Sequence, residues 1–207
     1  MFKGILGKKI GMTSVYTADG TLVPVTVVKL GPCVVTQVKA SQTDGYNALQ
    51  LGFDERPLSK CNRPKTGHFS KSGSTGFNVV REFHVDSPDE FEVGQTIGLE
   101  NFAIGDKVNV SGTTKGRGFA GTIKRYGFSR GPETHGSRNH RKPGSIGCSA
   151  WPARVVKGKK MPGHMGVDRK TVKNLEIIDI RPDENLVMIK GPVPGWKTGV
   201  LEIRKAV

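Results

Sequence analysis

The stretch that organises the chain spans residues 111–173 and reads SGTTKGRGFAGTIKRYGFSRGPETHGSRNHRKPGSIGCSAWPARVVKGKKMPGHMGVDRKTVK. It contains 15 Lys/Arg but only two acidic residues, Glu133 and Asp168, and so carries 13 of the chain's 14 net positive charges. It also contains 12 of the 28 glycines and has no sustained apolar period of a strand or helix. Such a segment cannot bury enough apolar surface to offset the entropy of ordering it, so we expect it to be ordered by a dense array of phosphates.

The composition of the whole chain limits the classes of partner. A net charge of +14 and an isoelectric point near 9.9 point to nucleic acid or to an anionic membrane surface. No run approaches the ~18 apolar residues that would span a bilayer, and the first residues have neither the apolar length nor the charge order of a secretion signal. We therefore expect a soluble cytoplasmic protein without a membrane partner.

The cysteines and histidines give no sign of a metal site. Cys33, Cys61 and Cys148 lack any paired spacing, which favours free thiols in a reducing compartment. Cys148 and the three histidines of residues 111–173 fit no paired-ligand pattern of zinc. We expect no bound metal and interpret these histidines as further contacts to RNA.

Short runs of β-branched or alternating residues flank the basic stretch on both sides. They cover residues 21–30, 33–40, 46–53, 79–85, 95–99 and 107–110 before it, and residues 172–180, 185–190 and 200–205 after it. Turn signals separate many of these runs, which is typical of a barrel or sandwich. Pro24, inside the first run, predicts a sheet edge or a bulge there.

The sequence thus predicts a mainly β fold with one core and two excursions. Residues 1–110 and 172–207 are expected to form a β-barrel core, into which residues 111–171 are inserted as a long, basic, glycine-rich extension. Residues 54–78 are rich in Gly, Ser, Pro and Lys and form a smaller inserted loop. This loop is either a solvated connection or a second RNA-facing excursion.

Catalytic motifs are missing from the basic stretch. Residues 116–121, GRGFAG, match G-x-G-x-x-G, but the segment ~20 residues further on, where a dinucleotide site needs an acid, is basic. The sequence has no phosphate-binding G-x-x-x-x-G-K-[ST], no H-E-x-x-H and no G-x-S-x-G. Ser145 and the histidines have only Glu133 and Asp168 as possible acidic partners. We therefore expect no enzymatic activity and no cofactor.

The same residues suit RNA binding. Arginines offer planar forks for bidentate phosphate contacts, and lysines offer mobile point charges. Four aromatic residues are available to stack on unpaired bases: Phe119, Tyr126, Phe128 and Trp151. The alternative for each is a small satellite core at the root of the extension, which we favour for Phe119 and Phe128 but not for Trp151. Trp151 lies roughly midway through the stretch, where Gly144, Gly147 and Pro152 favour a reversal of the chain.

Six short motifs occur in order along nearly the full length of the chain. They are GILGKKIGMT (residues 4–13), TGHF (66–69), SGTTKGRGFAG (111–121), HGS (135–137), PGSIG (143–147) and KGKKM (157–161). In combination these motifs are highly specific, and they resemble the ribosomal protein L-three family of the bacterial large subunit.

The resemblance carries several expectations. It implies a translation-protein type β-barrel that binds large-subunit rRNA early in assembly, with the extension running through RNA toward the peptidyl transferase centre. It implies large-subunit proteins fourteen and nineteen as neighbours, and we expect no homo-oligomer. Many relatives carry a methylated glutamine at the tip of the extension. The matching position here is Ala150, so this modification is not expected.

The candidate rRNA contacts are basic residues of the extension and of the two earlier motif regions, together with one tryptophan. They are Lys8, Lys9, Lys65, His68, Lys71, Lys115, Arg117, Lys124, Arg125, Arg130, His135, Arg138, His140, Arg141, Lys142, Trp151, Arg154, Lys157, Lys159, Lys160, His164 and Arg169.

Composition alone leaves two rivals to a ribosomal structural protein. An RNA-modifying enzyme should show a cofactor site or a catalytic constellation. A free RNA chaperone should not be retained stoichiometrically in large subunits washed with high salt.

Overall fold

The computed structural model describes residues 4–17, 19–73 and 75–206, which fall into two compact units. One unit contains the chain up to Thr113 and from Arg169 onward, and the other is Thr114–Asp168. The limits of the second unit lie slightly inside residues 111–171, because the strands on either side continue further than expected. The division of the chain into a barrel core and an extension inserted between its strands stays a prediction.

Six antiparallel strands close into a barrel in the first unit, which confirms the predicted mainly β barrel. In order around the barrel they are β1 (Gly4–Tyr16), β12 (Val200–Lys205), β7 (Lys107–Thr113), β10 (Arg169–Arg181), β11 (Leu186–Lys190) and β2 (Leu22–Leu30). Inward-facing Val28, Val110, Ile189 and Ile203 are fully buried, because alternate residues of each strand face the core.

Four further strands form a separate sheet in the same unit, which corrects the expectation that they belong to the barrel. In sheet order they are β5 (Thr75–His84), β4 (Ala48–Pro57), β3 (Cys33–Lys39) and β6 (Thr96–Ile97). Val35, Leu49 and Leu51 share one buried cluster with Ile5 and Leu30 of the barrel. Alternation predicts a strand and its buried face, but it does not determine which strand lies beside it.

The helices are short and lie in connections. They are α1 (Ser41–Asp44), α2 (Arg63–Phe69) and α3 (Thr122–Tyr126). The expected loop at residues 54–78 is narrower than predicted, because β4 runs to Pro57, α2 occupies its middle and β5 begins at Thr75. In α2 only Phe69 is buried, and its ring packs edge-on against Phe77 with centroids 5.6 Å apart. No helix in the described ranges is long and apolar enough to cross a membrane.

Strand β1 was not predicted, because glycines and lysines interrupt its pattern. Its first four residues, GILG, are nevertheless all buried. A Cβ on Gly7 would lie 2.3 Å from the Leu30 side chain and 2.8 Å from the Lys29 carbonyl oxygen, so the close approach of β2 requires glycine. The register between β1 and β2 shifts between Lys9 and Gly11, which marks a β-bulge.

Pro24 lies at a local sheet edge, as its position predicted. It pairs with Ser14 of β1, but the ladder between β2 and β11 begins one residue later, at Val25. Its carbonyl still accepts a hydrogen bond from the Gly191 amide at 2.9 Å. The missing amide hydrogen therefore costs no ladder bond.

The three cysteines are free thiols in different environments. Cys33 is buried, Cys61 is partly exposed and Cys148 is exposed. Burial raises the pKa of the Cys33 thiol to about 11, although its contact with the Leu6 carbonyl acts in the opposite direction.

Candidate nucleic-acid interface

The unit Thr114–Asp168 begins and ends in a short antiparallel ladder. The Thr114 amide donates to the Asp168 carbonyl at 2.9 Å, and the Asp168 amide donates to the Thr114 hydroxyl at 3.1 Å. Further along, Arg117 donates to the Met165 carbonyl, and β8 (Phe119–Ala120) pairs with β9 (Gly163–His164). The two chain segments of this unit are therefore held side by side by main-chain bonds.

Arg125 connects the short helix α3 (Thr122–Tyr126) to the chain segment just before β9. It lies on α3, which ends at Gly127 in a left-handed conformation with φ 72°. Its guanidinium donates to the Met161 carbonyl at 2.8 Å and lies 2.7 Å from the point where a Cβ of Gly163 would be. Any side chain at residue 163 would displace it. Arg125 also lies 5.0 Å from the centroid of the Tyr126 ring, and the Lys160 amine lies 5.7 Å from the same centroid.

Between α3 and β9, residues 128–162 have no helix or strand and few internal hydrogen bonds. The Gly131 amide donates to the His140 carbonyl at 3.1 Å, and the His140 ring contacts the Pro132 carbonyl at 3.0 Å. Residues 138–151 are all exposed. A segment of this kind presents its side chains outward and provides no core of its own.

The charge of the unit is almost uncompensated. Thr114–Asp168 contains 12 Lys/Arg and two acids. All residues of this range are described, and within it the recorded ion pair is Arg130 with Glu133, three residues apart on the exposed surface. A dense set of exposed cations without carboxylate partners attracts a polyanion.

Most of the predicted contact residues are exposed. Four are only partly exposed: Lys8, Lys9, His68 and Arg125. The exposed ones are Lys65, Lys71, Lys115, Arg117, Lys124, Arg130, His135, Arg138, His140, Arg141, Lys142, Trp151, Arg154, Lys157, Lys159, Lys160, His164 and Arg169.

Several candidates in the first unit have partners within the protein. The Lys9 amine donates to the carbonyls of Val193 and Gly195 at 3.0 and 3.3 Å. Lys8 pairs with Asp54 at 3.5 Å. The His68 ring lies 2.7 Å from the Gln50 amide oxygen, and Arg169 pairs with Glu202. A role of these four in RNA binding stays a prediction, and each would have to share or exchange its partner.

The aromatic residues divide differently from the prediction. Trp151 is 86% exposed, in keeping with a side chain that does not belong to a core. Phe119, expected in a satellite core, lies on the two-residue strand β8 and is 81% exposed, so its ring is not part of a core. Phe128 is partly buried and lies 6.2 Å from the Tyr126 ring, so these two rings form the small cluster that exists.

The first unit holds a cleft, lined by three arginines and two glutamates, that sequence reasoning missed. It has a volume of about 540 Å³ and brings Arg81, Arg169 and Arg204 together beside Trp196, which is 45% exposed. Glu202 lies in the cleft and pairs with Arg81 and Arg169. Only Arg169 was singled out, since the other residues are distant in sequence. An exposed tryptophan in the glycine- and proline-rich turn at residues 191–196 was the one available signal.

Metal binding has no support in the geometry. Within the described ranges, no three His, Cys, Asp or Glu side chains lie together as a possible ligand set. The arrangement offers cations, exposed rings and main chain without regular structure, which suit phosphate and base recognition.

Comparison with known proteins places the chain in a family. Residues 65–185 match the family described as Ribosomal protein L3. The Large ribosomal subunit protein uL3 of Desulforapulum autotrophicum is 88% identical over 207 residues, which is 100% of both chains. The proteins of the same name from Desulfatibacillum aliphaticivorans and Carboxydothermus hydrogenoformans are 60% and 51% identical, over 99% and 100% of this chain and 97% and 99% of theirs.

The names of these relatives are those of a structural ribosomal protein and not of an enzyme, as the sequence predicted. The resemblance drawn from six short motifs is confirmed over the full length. The chain belongs to the ribosomal protein L3 family of the large ribosomal subunit.

Proposed function

We propose that this chain binds large-subunit rRNA directly, mainly through Thr114–Asp168, and that it nucleates an early step of subunit assembly. The observation that carries the proposal is the nearly uncompensated charge of this unit, which has 12 Lys/Arg against two acids and is mostly exposed. A segment without a core gains its ordering free energy from the phosphates that it neutralises.

The distribution of residue types supports contact with folded RNA. Lys157, Lys159 and Lys160 surround Gly158, whose φ of 85° is a left-handed conformation open to glycine. A main chain without a side chain at this point can approach a phosphate closely while three lysines neutralise its neighbours. Arginines such as Arg138 and Arg141 add planar forks for bidentate contacts.

The finer parts of the proposal concern location. We propose that the segment around Trp151 reaches toward the peptidyl transferase centre, with the exposed indole stacked on an RNA base or sugar. Large-subunit proteins fourteen and nineteen are the proposed protein neighbours. Both parts rest on resemblance and on the exposure of the residues concerned.

Salt dependence of RNA binding tests the main claim. Because Thr114 and Asp168 are hydrogen-bonded neighbours, residues 115–167 can be replaced by a short glycine linker without separating β7 from β10. For the parent protein, the logarithm of rRNA affinity should fall with the logarithm of salt by ~0.7–0.9 per neutralised phosphate. The deletion protein should lose most of this slope.

Two sets of three lysine substitutions, one in each unit, show whether the salt slope depends on where the charges lie or only on how many are removed. Replacing Lys157, Lys159 and Lys160 by Gln should reduce the slope by about two to three. Replacing Lys29, Lys107 and Lys197, three exposed lysines of the first unit, should leave it nearly unchanged. A deletion protein that keeps the parent slope would move the binding site to the barrel. Loss of the chain from large subunits washed with high salt would favour a free chaperone.

A further inference from the structure

The hairpin of β1 and β2 presents main-chain groups to which no residue in the described ranges donates or accepts a hydrogen bond. The Thr17 amide donates to the Thr21 carbonyl at 3.0 Å, so residues 17 and 21 are a hydrogen-bonded pair. Pairs alternate along an antiparallel ladder, so Tyr16 with Leu22 and Ser14 with Pro24 are non-hydrogen-bonded pairs. Their carbonyls point outward, and so do their amides except at Pro24, which has no amide hydrogen. The bond from the Gly191 amide to the Pro24 carbonyl, on the outer side of β2, agrees with this alternation.

On the outer side of β1 the sheet ends early. Strand β12 pairs with β1 from Gly4 to Lys8, and the Lys9 main chain bonds to residues 198 and 199. In the described part of the chain no strand pairs with this outer side of β1 beyond this point. The main-chain groups of Met12, Ser14 and Tyr16 therefore form an open edge, which is a template for another strand.

The face next to this edge is apolar and exposed. Met12, Tyr16 and Leu22 are 53%, 72% and 53% exposed, and the register places them on one face of the hairpin. The opposite face is different, since Val23 and Val25 are buried in a cluster with Met188. An exposed apolar face beside open main-chain groups offers both components of strand addition.

Charge identifies the class of partner. Residues 10–28 contain no Lys or Arg and one acid, Asp19, in a chain of net charge +14. RNA requires cations, so this face does not suit it. Sheet edges that must stay unpaired are commonly protected by lysines or inward-pointing charges, and this one has neither.

We propose that the β1 edge from Met12 to Tyr16 accepts an uncharged β-strand of a different protein, which extends the barrel sheet by one strand. Apolar side chains of the added strand would cover Met12, Tyr16 and Leu22. The inference goes beyond RNA binding, because it assigns a protein interface to a region that carries no cation.

Photo-crosslinking in assembled large subunits tests the proposal. The full chain carries benzoylphenylalanine at position 16, or at position 126 as a matched exposed tyrosine of the second unit. We expect position 16 to crosslink to one protein segment, identified by mass spectrometry, and position 126 to crosslink to rRNA. RNA crosslinks at 126 without a protein crosslink at 16 overturn the edge proposal and leave RNA binding intact. A protein crosslink at position 16 without an RNA crosslink at position 126 supports the edge proposal and counts against RNA binding by the second unit.

Two variants test strand addition itself. Ser14→Pro removes an outward-pointing amide but no bond to β2, and should lower the crosslink yield at position 16 by about fivefold or more, whereas Ser14→Ala should not. Met12→Lys with Leu22→Lys alters only exposed side chains and should have the same effect as Ser14→Pro through charge on the apolar face. A yield that survives the lysine variant, or crosslinks to rRNA or to a second copy of this chain, would show the proposal to be wrong.

Discussion

Single glycines set how closely the strands of the barrel approach. Gly7→Ala would place a Cβ 2.8 Å from the Lys29 carbonyl oxygen, which cannot move like the tip of a side chain. We expect the substitution to lower the free energy of unfolding by ~1–3 kcal/mol, as overpacking does, in urea denaturation monitored by circular dichroism.

Gly11 in the same strand is the control. A Cβ there meets nothing within 4 Å, so Gly11→Ala should change the free energy of unfolding by less than ~1 kcal/mol and in the stabilising direction. Equal destabilisation by both alanines would show that strand propensity, and not the approach of β2, is responsible.

Trp151 gives a second prediction at the residue scale. Since its side chain is 86% exposed, Trp151→Ala should leave the melting temperature of the free protein unchanged. Bulk rRNA affinity should survive because the charges remain. The change should appear in chemical probing of rRNA near the peptidyl transferase centre in assembled subunits, where a stacked ring contributes ~1–3 kcal/mol. A melting temperature several degrees lower with unchanged probing would show that the indole packs on the protein.

At the scale of elements, an ion pair joins the last strand to the turn before β7. The Lys205 amine lies 2.8 Å from an Asp106 carboxylate oxygen, which also accepts a bond from the Ala103 amide at 2.9 Å. The hydrogen bond from Lys205, and then that from Ala103, hold the pKa of the Asp106 carboxyl below its usual value. A lowered pKa means that the contribution to stability is present above the usual value of ~3.9 and is lost as the pH falls through the lowered one.

Asp106→Asn should therefore be less stable than the parent at pH 7, by less than ~1 kcal/mol because the pair is partly exposed. The difference should disappear on acidification, as urea midpoints measured from pH 7 downward would show. In a Lys205→Gln background the same substitution should have a smaller effect at pH 7. A difference between parent and variant that does not change with pH would assign the effect to the Ala103 turn instead.

The strands themselves were largely readable from the sequence. Residues 200–205 and 33–40 were predicted to within a residue of β12 and β3, because β-branched residues between clear turns leave few alternatives. Strand β1 was not predicted, because two of its buried residues, Gly4 and Gly7, have no apolar side chain that would show in the hydrophobic pattern. The reason for glycine at position 7 is visible only in the fold, where the Leu30 side chain occupies the space that a Cβ would need.

Pairing between strands was not readable. Cys33–Lys39 follows β2 directly, yet it belongs to another sheet, and β2 pairs instead with β11 near the end of the chain. Such choices depend on contacts between residues that are far apart in sequence. For the candidate site, the cations were evident from composition alone, whereas the cleft of Arg81, Arg169 and Arg204 needed the fold to bring it together.

At the scale of the whole molecule, the two units should differ in their resistance to protease. Arg117 and Arg125 are held by hydrogen bonds, whereas residues 128–162 lack regular structure. Limited trypsin treatment of the free protein should therefore cut first between Arg130 and Lys160 and leave the barrel strands associated. Mass spectrometry of the early fragments gives the sites. Early cleavage within residues 21–39 would contradict the assignment of the stable core.

The same treatment of assembled large subunits provides the control. If rRNA covers the second unit, these cuts should disappear there, while exposed sites such as Lys60 in the first unit need not be affected. Equal cleavage in both states would count against rRNA as the partner of Thr114–Asp168.

The pairing of β1 with β12 has a consequence for biosynthesis. Gly4 lies opposite Arg204, so the barrel is closed by β1 and β12, two strands that are far apart in the sequence. A chain that is made from its N-terminus cannot complete this barrel until β12 has left the ribosome that makes it. The cationic segment Thr114–Asp168 is synthesised earlier, when the edges of β1 and β7 that pair with β12 are still unpaired. The growing chain can therefore bind polyanions before its barrel has closed. The order of synthesis creates an interval in which the cationic segment is present and the barrel is still open.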